Sequence, residues 1–245
     1  METLAWRLGL NGDSQPILVK KNGAPHPITI ASWRGYDLAQ VGQMLVVPDY
    51  LAPGSDAYFV AVIGEPGETV DLDSRQHAVT DLAFSATTSL SVTGYGYATY
   101  RVQVPAQQVG WQVLLAPTSG DPNVAVRRGK VPNEWNNDAF SEASASVTDS
   151  VALGPPGLGD GVAYITVYGS GGYAGTLTTG DPMVTDIHYV DVRQNDEPNR
   201  AGWKFYRAAN LAEQSGTLGW DLWLTDQRAG TEIAIRRNAL PFRRN

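Results

Sequence analysis

The chain has 245 residues, no cysteine and a formal net charge of −7. Without cysteine, neither a disulfide scaffold nor a cysteine-rich zinc site is possible. The acidic balance disfavours a nucleic-acid partner, which needs a basic surface to neutralise phosphates. Many Gly, Pro, Trp and Tyr residues spread through the chain, with few helical patterns, favour an all-β fold rich in turns.

The chain opens on Trp6 and a Gly12-Asp13 turn signal, followed by Val19-Lys20-Lys21-Asn22-Gly23-Ala24-Pro25. Met1 to Trp6 has no basic region before an apolar stretch and does not read as a signal peptide. His26 lies between two prolines, Trp33 follows, and Asp56 to Gly64 reads as a late strand ending on a glycine turn. His77 lies in a linker ahead of Val79-Thr80-Asp81-Leu82, which opens the next stretch, and Tyr97, Tyr100 and Arg101 come after it.

Trp111, Val113 and Leu115 alternate, then Gly120-Asp121-Pro122-Asn123 marks a turn before Val124 and Val126. Period-two alternation with β-branched residues around a Gly/Asp turn predicts two strands. Val126-Arg127-Arg128-Gly129-Lys130-Val131-Pro132 repeats the earlier basic phrase, about a hundred residues on. Trp135 lies in the polar loop Pro132 to Asp138. Gly161 to Gly169 matches the earlier late strand, and Gly169-Ser170-Gly171-Gly172 reads as a hairpin turn.

Val184-Thr185-Asp186-Ile187 repeats the marker at 79–82, followed by His188. Trp203, Tyr206 and Arg207 match Tyr97, Tyr100 and Arg101. Asn210 to Gln214 is a short helix candidate. Trp220, Leu222 and Leu224, an Asp226–Gly230 turn, then Ile233 and Ile235 lead to a third basic phrase, Ile235-Arg236-Arg237-Asn238-Ala239-Leu240-Pro241.

Self-similarity at this period means repeated domains, since solenoid repeats run at about 20–50 residues. The markers divide the chain into a partial repeat over 1–78, a complete one over 79–183 and a partial one over 184–245. The expectation is an excerpt from a longer protein; the alternative is a subunit whose sheets neighbouring subunits complete. No run of about 18 apolar residues predicts a spanning helix.

Half of the 18 Lys and Arg residues lie in the three phrases and the tail. They read either as an anionic-ligand surface or as charged turns beside edge strands, where Lys and Arg deter pairing. Trp6, Trp111 and Trp220 occupy one repeat position on an alternating strand and are expected in the core. Trp33, Trp135 and Trp223 are less regular and are candidates for sugar stacking or protein contact. Asp191, Asn195, Asp196, Glu197 and Asn199 supply the densest set of hard oxygen ligands and are the calcium candidates. Their spacing does not fit a twelve-residue EF-hand loop, and a polar linker ending at Glu197-Pro198 is the alternative. No nucleophile elbow, His-Glu-x-x-His helix or phosphate loop accompanies the three histidines, so no catalytic residue is predicted.

Trp111 to Leu115, Gly120 to Gly129, Pro132, Asp138 and Tyr164-Ile165-Thr166-Val167-Tyr168-Gly169 together resemble the bacterial pre-peptidase C-terminal domain. Asn195 to Asn199 resembles that family's acidic opening, whereas residues 85–93 lack it and residues 1–78 show no clear match for Asp138. The resemblance implies tandem jelly-roll-like antiparallel β-sandwich domains of an exported protein, non-catalytic, with calcium or matrix binding in some members. The expected role is a spacer or adhesion array at the cell surface or outside the cell, with other repeats or neighbouring subunits as partners. A glycan- or matrix-binding module and an accessory region of a secreted hydrolase are the alternatives.

Overall fold

A computed structural model describes residues 5–11, 15–23, 36–51, 56–106, 108–154, 158, 161–187, 204–208, 222–223, 233–236 and 241. They contain β1 (Trp6–Leu10), β2 (Pro16–Lys21), β3 (Leu38–Val41), β4 (Gln43–Val46), β5 (Tyr58–Val62) and β6 (Leu72–Gln76). Then come β7 (Val79–Leu82), β8 (Ala86–Val92), β9 (Gly96–Val104), β10 (Trp111–Ser119), β11 (Asn123–Arg128) and β12 (Ala139–Ser141). The last are β13 (Asp149–Leu153), β14 (Gly161–Gly169), β15 (Tyr173–Gly180), β16 (Val184–Ile187) and β17 (Phe205–Ala208). No helix occurs among the described residues, so none there is long and apolar enough to cross a membrane. The helix candidate at Asn210–Gln214 lies outside them.

The fold is an all-β sandwich. One four-stranded sheet has the order β13-β10-β15-β8 and faces a five-stranded sheet, β12-β11-β14-β9-β7. Trp111, Val113 and Leu115 of β10 meet Val124 and Val126 of β11 and Ile165 and Val167 of β14 in a single core. The alternation seen in the sequence therefore points one face of each strand inward. Trp111 is fully buried, and its indole N–H donates to Thr179 Oγ1 at 2.5 Å.

Through β15, most consecutive strands change sheets, the pairs β2–β3 and β11–β12 excepted. The Gly120 turn carries the chain from β10 to β11, across the sandwich rather than back along one sheet. The same holds for Gly169–Gly172, which joins β14 to β15 in the opposite sheet. That segment is a cross-sheet corner, not the hairpin expected from sequence. The two corners pack together: Gly120 has φ +70°, and a Cβ there would meet the Gly172 carbonyl and Tyr173.

The strands from residue 6 to 76 follow the same plan in two three-stranded sheets, β4-β1-β6 and β3-β2-β5. Leu8, Ile17, Val19, Met44 and Val46 form their core. Trp6 lies at its edge, half-buried, with its indole N–H on Ser74 Oγ at 2.9 Å. Trp220 lies outside the described residues.

All described strand pairs are antiparallel except two. β7 pairs parallel with β9, and β16 pairs parallel with β17. In both, an aspartate is directly opposite an arginine: Asp81 with Arg101, and Asp186 with Arg207. Each pair is bidentate, at 2.6 and 2.9 Å in the first and 2.6 and 2.8 Å in the second.

The five-stranded sheet is buried on both faces. Ala125, Tyr97, Tyr164 and Tyr168 point away from the sandwich interior and pack against Ala5, Leu45 and Val47. This accounts for the unbroken burial of Ala163 to Tyr168 in β14, where an ordinary surface strand would expose every second residue.

Candidate functional site

The junction between the outer face of β4–β1 and the outer face of the five-stranded sheet gathers the buried polar residues His77, Thr99, Asn133 and Thr166. The basic phrase after β11 stands at its rim. Arg128 donates from its backbone N–H (2.9 Å) and its Nε (2.7 Å) to Asp138 Oδ2. Burial pushes the Asp138 carboxyl up, but those Arg128 contacts outweigh it and hold it below the usual carboxylate range. Gly129 adopts φ +71° and sends its N–H to the Val162 carbonyl at 2.7 Å. Arg127 and Lys130 both ion-pair with Asp49, just beyond β4. The Lys130 hydrogen bond is the main reason the Asp49 carboxyl is held low.

The first copy of the phrase folds in the same way. Asn22 has φ 55°, and its N–H reaches the Ala57 carbonyl at 2.7 Å. The Lys21 N–H donates to Asp37 Oδ2 at 2.9 Å, as Arg128 does to Asp138. Asp37 is thus the match for Asp138 that sequence comparison missed. Lys21 Nζ pairs with Asp56 at 2.7 Å. The bases after β2 and β11 are held by carboxylates at strand exits. Of the third copy, residues 237–240 lie outside the described residues.

The loop carrying Trp135 is built around Asn133, which is 1% exposed. Asn133 Nδ2 donates to the Leu45 carbonyl at 3.0 Å across the junction. Its Oδ1 accepts the backbone N–H groups of Trp135 (3.1 Å) and Asn136 (2.8 Å). Beside it, Glu134 Oε1 accepts from Gln40 Nε2 at 2.9 Å and lies 3.2 Å from the Tyr97 hydroxyl. Burial pushes the Glu134 carboxyl above its ordinary range. The anchored loop leaves Trp135 projecting outward, 55% exposed. Trp223 is 68% exposed, and Trp33 lies outside the described residues.

His77 closes one end of the junction. Its backbone N–H donates to the Ala5 carbonyl at 2.9 Å. Its Nε2 lies 2.8 Å from Thr99 Oγ1, which lies 2.9 Å from Thr166 Oγ1. Burial, then the nearby Arg7 and Arg75 guanidiniums, pushes the imidazole down to about 4. This chain of groups holds a neutral imidazole and two hydroxyls but no carboxylate, so it lacks the orienting acid of a Ser-His-Asp relay. His26 and His188 lie outside the described residues. So do Asp191, Asn195, Asp196, Glu197 and Asn199. Among the described residues, no three His, Asp or Glu side chains converge on a metal-sized site.

Sequence reasoning had flagged the polar Trp135 loop but missed Asp49, Asn133, Glu134 and Asp37. The one usable signal was Pro48-Asp49 after the apolar Met44–Val47 run, where a strand exit meets solvent.

No protein-family model matches the chain, and no curated protein matches it. Among solved structures, the pre-peptidase C-terminal domain of collagenase from Bacillus anthracis matches at 14% identity and a TM-score of 0.35. That match covers 44% of this chain and 99% of the other. PliG from Aeromonas hydrophila, a periplasmic inhibitor of g-type lysozyme, matches at 18% identity and a TM-score of 0.31, covering 42% and 96%. The chain is an all-β sandwich protein, and each of these two matches covers less than half of it.

Proposed function

We propose that the chain is a non-catalytic array of β-sandwich repeats, over 1–78, 79–183 and 184–245, acting as a stiff spacer or adhesion segment of an exported protein. The observation that carries this reading is the junction itself. An apolar layer of Ala5, Leu45, Val47, Tyr97, Tyr164 and Tyr168 is flanked by the Asp49 ion pairs and by Asn133 reaching the Leu45 carbonyl. A buried, polar-bonded interface restrains relative domain motion, whereas small polar ones permit it. The repeated contacts support the tandem reading: indole to hydroxyl at Trp6 and Trp111, phrase to carboxylate at Asp37 and Asp138, and the parallel Asp–Arg pairs. Backbone NMR relaxation on the full chain tests the reading. The strands of 6–76 and 79–180 should tumble with one correlation time; independent tumbling overturns the stiff array.

A second reading, glycan or matrix binding, is favoured by one observation. Trp135 is held outward by an Asn133-anchored loop rather than covered. Glycan-array binding that disappears in Trp135→Ala while melting is unchanged would support it; array binding unaffected by that substitution would remove Trp135 from it.

A further inference from the structure

A cleft of about 300 Å³ opens between the outer face of β1–β6 and the β7–β9 pair. Its lining includes Arg7, Arg75, Gln76, His77, Thr80 and Thr99. Arg7 and Arg75 are directly opposite in the β1–β6 register, so their side chains share one face of the sheet. Like charges directly opposed across an antiparallel pair are destabilising. Asp73 bonds the Arg75 Nε at 3.0 Å and acts on Arg7 only through space, too weakly to offset its burial and the charge of Arg75. Arg7 donates from Nη2 to Gln43 Oε1 at 2.8 Å, a neutral acceptor, and its Nε is buried with no hydrogen-bond partner. A desolvated guanidinium donor without an acceptor costs free energy until an anion arrives.

The second sandwich shows that the fold does not require this arrangement. Gln112 occupies the place of Arg7, opposite Gly180 and not opposite an arginine. Its Nε2 donates to Ser150 Oγ at 3.0 Å and its Oε1 accepts the Met183 N–H at 2.9 Å. Where the second sandwich has a neutral amide bonded at both its nitrogen and its oxygen, the first has two opposed cations and a buried donor without a partner.

We propose that this cleft binds one acidic sugar unit, a uronate or a sulfated sugar, with its oxyanion between Arg7 and Arg75. Guanidiniums bind such oxyanions through charge-assisted, often bidentate hydrogen bonds. The cleft is larger than a lone oxyanion fills. The rest of its lining favours a ring of hydroxyls: Gln76 and Thr80 have side chains without a hydrogen bond among the described residues, and the only aliphatic side chains are those of Ala78 and Ala98. Tyr97 and Tyr100 complete the lining with aromatic surface against which the carbon face of a sugar ring can pack. His77, held neutral beneath the arginines, keeps its second ring nitrogen for a hydroxyl rather than adding a third cation.

The test is calorimetric titration of the full chain with glucuronate, glucose, sulfate and the dipeptide Gly-Asp, at constant ionic strength. Glucuronate should saturate one site and glucose should not bind. R7Q and R75Q should each weaken glucuronate about tenfold or more, the loss of one charge-assisted contact. R7Q should leave the unliganded melting temperature unchanged or raised, since it removes a repulsion. No saturable glucuronate binding, or binding indifferent to both arginine variants, overturns the site. Sulfate binding as tightly as glucuronate overturns the sugar assignment in favour of a simple ion site, and tighter Gly-Asp binding overturns it in favour of a peptide.

Discussion

Asp49 ion-pairs with Arg127 across the junction, joining the end of β4 to the outer face of the five-stranded sheet. Lys130 grips the same carboxylate from the loop beyond β11. Arg127 is 19% exposed, so removing its partner strands a largely covered cation. Asp49→Asn should lower stability in urea by about 1 kcal/mol, kept small by solvent access to the aspartate. The double variant with Arg127→Gln should recover part of that loss. The Asp49 carboxyl is held low when folded, so its contribution is present above its unfolded value of 3.8 and disappears as pH falls through the depressed one. Equal losses for wild type and Asp49→Asn below pH 4 would contradict this.

Trp111→Ala should cost roughly 3–5 kcal/mol, the range for emptying a fully buried aromatic site. Trp6→Ala should cost less, because Trp6 is only half-buried at the edge of its core. Thr179→Val, which leaves the Trp111 indole N–H unpaired in the interior, should cost about 1–3 kcal/mol. Chemical denaturation curves for the three variants give the ranking directly.

His77 makes stability depend on mild acid. Its imidazole is depressed from 6.5 to about 4 by burial and two arginines, so the unfolded chain takes up this proton first as pH falls. The contribution is full above pH 6.5, declines between 6.5 and 4, and then levels off. It amounts to about 3 kcal/mol at most. His77→Gln should flatten that part of the stability profile; an unchanged slope between pH 6.5 and 4 would count against a neutral buried imidazole.

Gly129 has open space around its missing Cβ, so substitution there tests the backbone alone. Gly129→Ala should cost about 1 kcal/mol for the left-handed conformation. Gly129→Asn should cost less than half of that, because Asn22 already holds the same conformation at φ 55°. Thermal melting of both variants distinguishes the two costs.

Calcium is proposed for Asp191, Asn195, Asp196, Glu197 and Asn199. Saturating calcium should raise the melting temperature of the chelator-treated chain, and Asp196→Asn with Glu197→Gln should abolish the rise. The absence of any shift would remove the metal from this segment.

Strands were legible where alternation is strong. Trp111, Val113 and Leu115 announced β10 and its inward face, since the side-chain period of a strand is two. The sheet to which each strand belongs was not legible. Gly169–Gly172 looked like a hairpin because local sequence reports a turn, while the partner across it depends on distant strands. Asp37 was hidden for a related reason. It is 16 residues past the N–H it accepts, whereas Asp138 is 10 past its own, and unequal loops defeat comparison by spacing. The opposed arginines were invisible because β1 and β6 meet only in the folded chain.

The alternation of successive strands between sheets also governs how the chain acquires its structure. β10 is flanked by β13 and β15, so Trp111 gains both neighbours only when Gly180 is in place. The connections at Gly120 and Gly169–Gly172, between successive strands, zip no local hairpin that would act as a nucleus. Closure must wait for distant partners, which makes folding slow relative to helical proteins of this size. Up to β15, only β2–β3 and β11–β12 are consecutive strands paired in one sheet among the described residues, so the order of assembly is set by topology and not by any single side chain.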